Sequence, residues 1–163
     1  MKILAADKLS DVGLEWLRGQ DDVDVDSRPG LSPAELAEVI GDYDGLIVRS
    51  GTKVTADVLQ KAHKLRGIAR AGVGVDNIDI PAATARGILV MNTPDGNTIA
   101  TAELTIALMM ALSRNVFPAY QSLTEGRWDR KKYIGAQLAG KTLGIIGLAA
   151  SARPWPPARG PWK

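Results

Sequence analysis

Cysteine is absent from this 163-residue sequence, and histidine occurs only once. Without cysteine the chain has no disulfide framework, no thiolate metal site and no cysteine nucleophile, and it suits a reducing compartment such as the cytoplasm. His63 stands between Lys61 and Lys64 on the polar side of a predicted helix, so we expect it at the surface. No acidic or histidine cluster has the spacing of metal ligands. The sequence therefore predicts neither a catalytic proton donor nor a metal site.

Long hydrophobic runs and an excess of one charge are also missing. The most apolar stretch, residues 104–112, is too short to cross a bilayer. The apolar run at residues 3–6 is shorter than the core of a signal peptide. Lysine and arginine total 20 against 18 acidic residues, but Arg153, Arg159 and Lys163 lie in an acid-free final segment. The remaining sequence is nearly neutral, so neither a nucleic acid nor a membrane is expected as a partner.

Up to about residue 95, the sequence alternates short apolar runs with amphipathic segments. Five runs are strand-like, at residues 2–6, 23–25, 46–48, 68–69 and 88–91. Helices are predicted to begin after four capping residues, Ser10, Ser32, Thr55 and Asp79. Strands separated by helices of this length predict an α/β fold with a doubly wound parallel sheet. We expect the first helix to bury Val12, Trp16 and Leu17.

The character of the sequence changes after residue 95. Residues 98–125 form one long predicted helix, which is either an interdomain or dimer element or an ordinary core helix. Residues 142–147 form a predicted strand. No helix is expected after it, because the prolines that follow lack an N–H and clash with the preceding turn. The sequence thus divides into three parts, residues 1–95, residues 96–148 and an exposed, disordered tail at 149–163.

Three loops follow predicted strands, at the edge where binding groups of open α/β sheets gather. The first begins with Arg49 and Ser50, directly after the strand at 46–48. Arginine offers a planar fork for a carboxylate or a phosphate, and serine adds a hydroxyl donor. This loop is either an anion site or a solvated turn with a surface arginine.

The second loop carries Arg70, Gly72, Val73 and Gly74. The glycines flanking Val73 can form a nest of backbone N–H groups that holds an anion, with the charge of Arg70 beside it. The alternative is a tight turn in which glycine supplies a positive φ. The third loop is Asn97 and Thr98, one of which should cap the long helix. Asn97 either binds a ligand at the start of that helix or serves in capping alone.

Four ordered blocks of sequence resemble one protein family. They are residues 48–55, 69–79, 90–97 and 140–147. In this order and spacing they are similar to the D-isomer-specific 2-hydroxyacid dehydrogenases and, within that family, to its phosphoglycerate dehydrogenase branch. The resemblance implies a flavodoxin-like substrate lobe, then the long helix and first strand of an incomplete Rossmann domain that binds NAD. It also implies a homodimer formed through the nucleotide-binding lobe, which begins with the long helix.

The same resemblance implies an activity and a set of site residues. This branch oxidises the CH–OH group of 3-phosphoglycerate to 3-phosphohydroxypyruvate with NAD, in serine biosynthesis. The substrate, a small anionic molecule, would lie against the side chains or amides of Arg49, Ser50, Arg70, Gly72, Val73, Gly74 and Asn97. Val73 would also lie near the nicotinamide, and Gly147 would be the first glycine of the cofactor fingerprint.

The sequence departs from the family after Gly147. Residues 147–152 are Gly-Leu-Ala-Ala-Ser-Ala where the family has Gly-x-Gly-x-x-Gly, and the methyl group of Ala149 obstructs a pyrophosphate. Deleting one base from a GC-rich coding sequence for Gly-Leu-Gly-Arg-Ile-Gly yields this run, which indicates a frameshift. The family's catalytic Arg, Glu and His would lie in the absent part. We therefore expect a truncated, inactive dehydrogenase; the alternative is a non-enzymatic anion-binding or dimerising module.

Overall fold

Residues 1–147 are described in the computed structural model of the chain. The chain divides into two compact units, Met1–Gly96 and a second unit that begins at Asn97. The roles that the sequence assigns to these two parts remain predictions. The expected tail at 149–163 and the altered fingerprint from residue 148 onward lie outside the described residues.

Five parallel strands form one sheet in the first unit, in the order β2-β1-β3-β4-β5. The strands are β1 (Lys2–Ala5), β2 (Asp24–Ser27), β3 (Gly45–Val48), β4 (Gly67–Arg70) and β5 (Leu89–Asn92). The register pairs Leu4 with Leu46, and Leu46 with Ile68, so that large apolar side chains meet across the three central strands. This strand order is flavodoxin-like. The predicted doubly wound parallel sheet is confirmed.

Four short helices connect the strands, and a polar side chain caps each of them. They are α1 (Asp11–Arg18), α2 (Pro33–Val39), α3 (Ala56–Lys61) and α4 (Ile80–Ala85), and a 3-10 turn, Ile40–Asp42, follows α2. The predicted caps are confirmed, since each accepts a hydrogen bond from an amide three residues further along: Ser10, Ser32, Thr55 and Asp79. These side chains satisfy first-turn amides that have no partner within the helix, and so fix where each helix begins.

The core of the first unit lies between the sheet and the helices α2, α3 and α4. Its fully buried members include Leu4, Leu36, Leu46, Leu59 and Ile68. The central strands are apolar on both faces, as expected of a parallel sheet that helices cover. The sheet therefore holds the loops at its carboxyl edge on a rigid base.

Helix α1 packs against the edge strand β2 and stays outside this core. The prediction that it buries Val12 and Trp16 is wrong, because these side chains are 77% and 65% exposed. Leu14 and Leu17 are half-buried. Helical spacing puts Val12 and Trp16 on the opposite side from the two leucines, and an edge strand can cover only one side of the helix.

One polar cluster lies at the border between the core of the first unit and solvent. The hydroxyl of Tyr43, which is 2% exposed, donates to Asp26 Oδ2 at 2.6 Å, and Arg28 Nη2 lies 2.8 Å from the same oxygen. The hydrogen bond from Tyr43, followed by that from Arg28, lowers the pKa of Asp26. Burial, followed by the bond to Asp26, raises the pKa of Tyr43 to about 12. The cluster joins the end of β2 to the segment before β3.

The second unit begins with two helices, α5 (Thr98–Ser113) and α6 (Val116–Thr124), bent by 63°. The prediction of one helix over residues 98–125 is therefore wrong. Asn115 has a left-handed backbone with φ 52°. Pro118 explains the break, because in a continuous helix its ring would clash with the carbonyl four residues earlier, whereas the first turn of α6 accepts it. Among residues 1–147 no single helix has the length and apolarity to cross a membrane; only the bent pair taken together does.

The strand expected at residues 142–147 does not form. A β-strand needs a neighbouring strand to satisfy its backbone groups, and the described part of the second unit contains no other strand. Ile146 is correspondingly fully exposed. Within the described residues, the second unit therefore consists of helices, turns and irregular segments.

Candidate functional site

The first two predicted loops leave the sheet side by side. The register aligns Val48, at the end of β3, with Arg70, at the end of β4, and Arg70 with Asn92, at the end of β5. Parallel strands that end at the same level bring the loops after them together. The structure thus places Arg49 and Ser50 beside the loop that follows Arg70.

Arg49 presents its side chain to solvent at this edge. The residue is exposed, and its Nη1 donates to the carbonyl of Lys8 at 3.3 Å. A guanidinium has five N–H donors, so most of them stay available to a ligand. Ser50, the next residue, is also exposed. Both side chains can therefore contact an anion that arrives from solvent.

Arg70 differs from Arg49 in being 9% exposed. Its Nη1 donates to the carbonyl of Gly74, its Nε donates to the carbonyl of Arg49 at 3.4 Å, and its Nη2 lies 3.8 Å from Asp76 Oδ1. The guanidinium is thus bonded to its own loop and to the backbone of the loop that begins at Arg49. It brings positive charge to the site without presenting a free fork.

Neither Gly72 nor Gly74 has a positive φ, which excludes the tight turn that would need one. A nest built by alternating right- and left-handed backbone is excluded for the same reason. Glycine instead makes room for Arg70: a Cβ on Gly74 would lie 3.1 Å from Arg70 Nη1, and one on Gly72 would lie 3.4 Å from it. The amides of Val73 and Gly74 donate to no protein acceptor within residues 1–147, so they remain available to an anion.

Asn97 is the first residue of the second unit, whereas the other two loops belong to the first unit. It occupies the position before α5, but its side chain makes no hydrogen bond to the first amides of that helix. Of the two residues expected to cap the helix, Asn97 and Thr98, Asn97 thus takes the N-cap position without the side-chain hydrogen bond of a cap. Gly147, the last described residue, has φ 86°.

Three polar residues that support the loops were not predicted from the sequence. Asn92 Nδ2 donates to the carbonyl of Val73 at 2.7 Å, while Asp7 and Asn77 bond to the backbone of residues 49–52. Asp7 could have been found, since it follows strand β1 as Arg49 follows β3. Asn92 and Asn77 gave no such signal. Among residues 1–147 no three acidic or histidine side chains form a metal-ligand cluster.

Comparison with known proteins decides the family. The model of the D-isomer specific 2-hydroxyacid dehydrogenase catalytic domain matches residues 3–151. The chain belongs to this family. Relatives of this 2-hydroxyacid dehydrogenase chain include D-3-phosphoglycerate dehydrogenases from Methanocaldococcus jannaschii, 53% identical over 148 residues, and from Homo sapiens, 48% identical over 152 residues. The resemblance inferred from the four sequence blocks is confirmed.

Solved structures of the family are similar too. A 3-phosphoglycerate dehydrogenase from Entamoeba histolytica with NAD⁺ bound has a TM-score of 0.75 and 31% identity, and a protein from Thermus thermophilus has a TM-score of 0.84 and 34% identity. The chain spans 28% of each of the two curated relatives, which cover 91% and 93% of it. It spans 48% and 50% of the two solved chains, each of which covers 94% of it.

Proposed function

We propose that the first unit binds the anionic substrate of a D-2-hydroxyacid dehydrogenase, and that this substrate is 3-phosphoglycerate. The observation that carries the proposal is the exposed arginine fork of Arg49, next to the Ser50 hydroxyl and the unpaired amides of Val73 and Gly74. Phosphate and carboxylate are the groups that such donors bind. The relatives' names support the choice of 3-phosphoglycerate.

These groups bind and orient the substrate. Arg49 and Ser50 hold one anionic group, the amides of Val73 and Gly74 hold the other, and the buried charge of Arg70 favours both. NAD would supply the hydride acceptor of such a dehydrogenase. The groups of the first unit thus contribute the binding and orientation of the substrate.

NAD itself does not fit the described part of this chain. A dinucleotide site needs a strand that ends in a glycine loop at a helix N-terminus. Residues 141–147 form no strand, and the sequence has Ala149 and Ala152 where the fingerprint has glycine. We propose that the chain alone neither binds NAD nor turns over substrate. An assay with 3-phosphohydroxypyruvate and NADH checks this, and measurable turnover would contradict it.

Calorimetric titration of the chain with 3-phosphoglycerate tests the site. Arg49→Ala should weaken binding about 10- to 100-fold, the loss expected for hydrogen bonds between charged groups. Arg66→Ala is the matched control, because Arg66 is exposed and precedes β4 at the opposite end of the sheet. Equal affinities of the Arg49 variant and the unchanged chain would show that the ligand does not use this loop.

A second candidate, a dimerising module, rests on the helices α5 and α6. Their exposed large side chains include Leu104, Leu112, Phe117 and Tyr120, and apolar surface beyond scattered single residues is typical of an interface. We propose that the chain forms a homodimer through these helices. We also propose that it lies in the cytoplasm, a reducing compartment that suits a chain without cysteine. Sedimentation equilibrium tests it, and a monomer at every concentration would exclude it.

A further inference from the structure

Residues 49–52 form a loop called here the Arg49 loop. Besides Arg70, whose Nε donates to the carbonyl of Arg49, two side chains from elsewhere in the first unit hold this loop. Asp7, just beyond β1, accepts hydrogen bonds through Oδ2 from the amide of Arg49 at 2.5 Å and from the amide of Thr52 at 3.2 Å. One carboxylate thus bonds the amides at both ends of the loop. Bonds to an ionised acceptor are stronger than those between neutral groups.

Asn77 holds the carbonyl groups of the same two residues. Its Nδ2 donates to the carbonyl of Arg49 at 2.7 Å and to that of Thr52 at 2.6 Å. Only the NH₂ end of the amide can face two carbonyls, which fixes its orientation. Asn77 Oδ1 is buried and has no partner within the described residues.

Gly51 makes this arrangement sterically possible. Its φ lies outside the left-handed region, yet a Cβ on it would lie 2.6 Å from Asp7 Oδ1. The carboxylate cannot move aside without losing the two amides of the loop. Thr52 is 3% exposed and donates from its hydroxyl to the carbonyl of Ala6 at 3.1 Å. Every backbone bond at the ends of the loop therefore comes from outside it, while Arg49 and Ser50 project to solvent.

We infer that Asp7 and Asn77 are positioning residues of the anion site. They order the Arg49 loop before the ligand arrives. The free energy of binding is therefore not reduced by the conformational entropy lost in ordering the loop. They act through the backbone and make no contact with the ligand. The inference rests on the proposed function for the identity of the ligand, and on the structure alone for the order of the loop.

The first experiment compares Asp7→Ala with Asp7→Asn by titration with 3-phosphoglycerate. Asp7→Ala should weaken binding about tenfold or more, because both amide bonds are lost. Asp7→Asn keeps an oxygen of the same shape facing the amides and should recover most of the affinity. Asp21→Ala, at an exposed carboxylate outside the site, is the control. A Asp7→Ala chain that unfolds at lower temperature but binds as well as the unchanged chain would show a structural role only, and would overturn the inference.

The second experiment is a double-mutant cycle between positions 7 and 51. Gly51→Ala should weaken binding while Asp7 is present, because the methyl group displaces the carboxylate. In the Asp7→Ala background the same change should have little further effect. Gly144→Ala, where an added Cβ meets nothing within 4 Å, is the control. Equal effects of Gly51→Ala in both backgrounds would contradict the coupling that the inference requires.

Amide hydrogen exchange separates this inference from the proposed function. The amides of Arg49 and Thr52 should exchange slowly in the chain without ligand, and Asp7→Ala or Asn77→Asp should accelerate them, since a carboxylate at position 77 repels both carbonyls. If the chain does not bind 3-phosphoglycerate but shows this pattern, the proposed function fails and the positioning role stands. Fast exchange at both amides in the unchanged chain would overturn the positioning role.

Discussion

The two units of this chain use similar apolar residues in opposite ways. In the first, leucines and isoleucines of the inner strands and of α2 and α3 are buried, while polar side chains cap helices and hold loops. In the second, the described residues have Ala102 as the only buried apolar side chain, and most of the large ones of α5 and α6 are exposed. Apolar content alone therefore does not make a core.

The arrangement of the apolar residues explains the difference. Residues 1–96 place them on one face of each helix and on the inner strands, so a sheet and a few helices cover them. In α5 they occur on all sides, among them Ile99, Leu104, Leu108 and Leu112. A helix that is apolar all round is covered only when protein surrounds it. Stability should accordingly be concentrated in the first unit.

Matched leucine truncations should give the largest effect. Leu59 in α3 is 0% exposed and Leu112 in α5 is 79% exposed. Leu59→Ala should lower the free energy of unfolding of the first unit by about 2–5 kcal/mol, through lost burial and the cavity left behind, and Leu112→Ala should change it by less than about 0.5 kcal/mol. Urea unfolding measures both. Similar losses at the two positions would remove the contrast between the units.

Removing the buried hydroxyl of Tyr43 should have an intermediate effect on the free energy of unfolding. Because the pKa of Asp26 is lowered from 3.8, its contribution to stability is present above that pH and is lost as pH falls through the folded value. Because the pKa of Tyr43 is raised from 10.0 to about 12, its contribution is present below pH 10 and is lost as pH rises through 12. Tyr43→Phe should cost about 1–2 kcal/mol at neutral pH.

The pH dependence distinguishes this effect from loss of packing. Urea unfolding of the Tyr43→Phe chain over a pH series should show a weaker decline of stability on both the acid and the alkaline side. Tyr120→Phe is the control, since Tyr120 is 69% exposed and should leave both declines unchanged. A Tyr43→Phe chain with the unchanged pH profile would show that the cluster does not link stability to protonation.

Substitutions at Asn115, between α5 and α6, should have the smallest effect on stability. Asn115→Ala should destabilise the second unit by about 1 kcal/mol, because alanine lacks the short polar side chain that lets asparagine tolerate a left-handed backbone. Asn115→Gly should change it by less than about 0.5 kcal/mol. Thermal loss of helical circular dichroism measures the difference. If alanine proved as stable as glycine, the backbone at this position would not be left-handed in solution.

Local signals in the sequence predicted most of the first unit. The caps at Ser10, Ser32, Thr55 and Asp79 fix where helices begin, and the apolar runs between them fix the strands. The predictions failed where the outcome depended on what lies next to an element. Trp16 is exposed because α1 borders an edge strand. The strand expected at residues 142–147 has no partner among the described residues.

The anion loops were predicted from the sequence, but their supports were not. The arginine side chains of Arg49 and Arg70 indicate an anion site by their charge alone. Their positions at the ends of predicted strands place both at the carboxyl edge of the sheet. Asp7 bonds to an amide 42 residues away and Asn77 to a carbonyl 28 residues away. Bonds of that span depend on the strand order, which the alternation of strands and helices does not specify. The burial of Arg70 was missed for the same reason.

The position of the last strand has a consequence for synthesis of the chain. Strand β5 ends at Asn92, so every strand of the sheet precedes α5. A ribosome makes the protein from its N-terminus, and the first unit can fold while translation of the helices continues. A coding change downstream of residue 97 therefore leaves every strand of the sheet and the residues of its core unchanged.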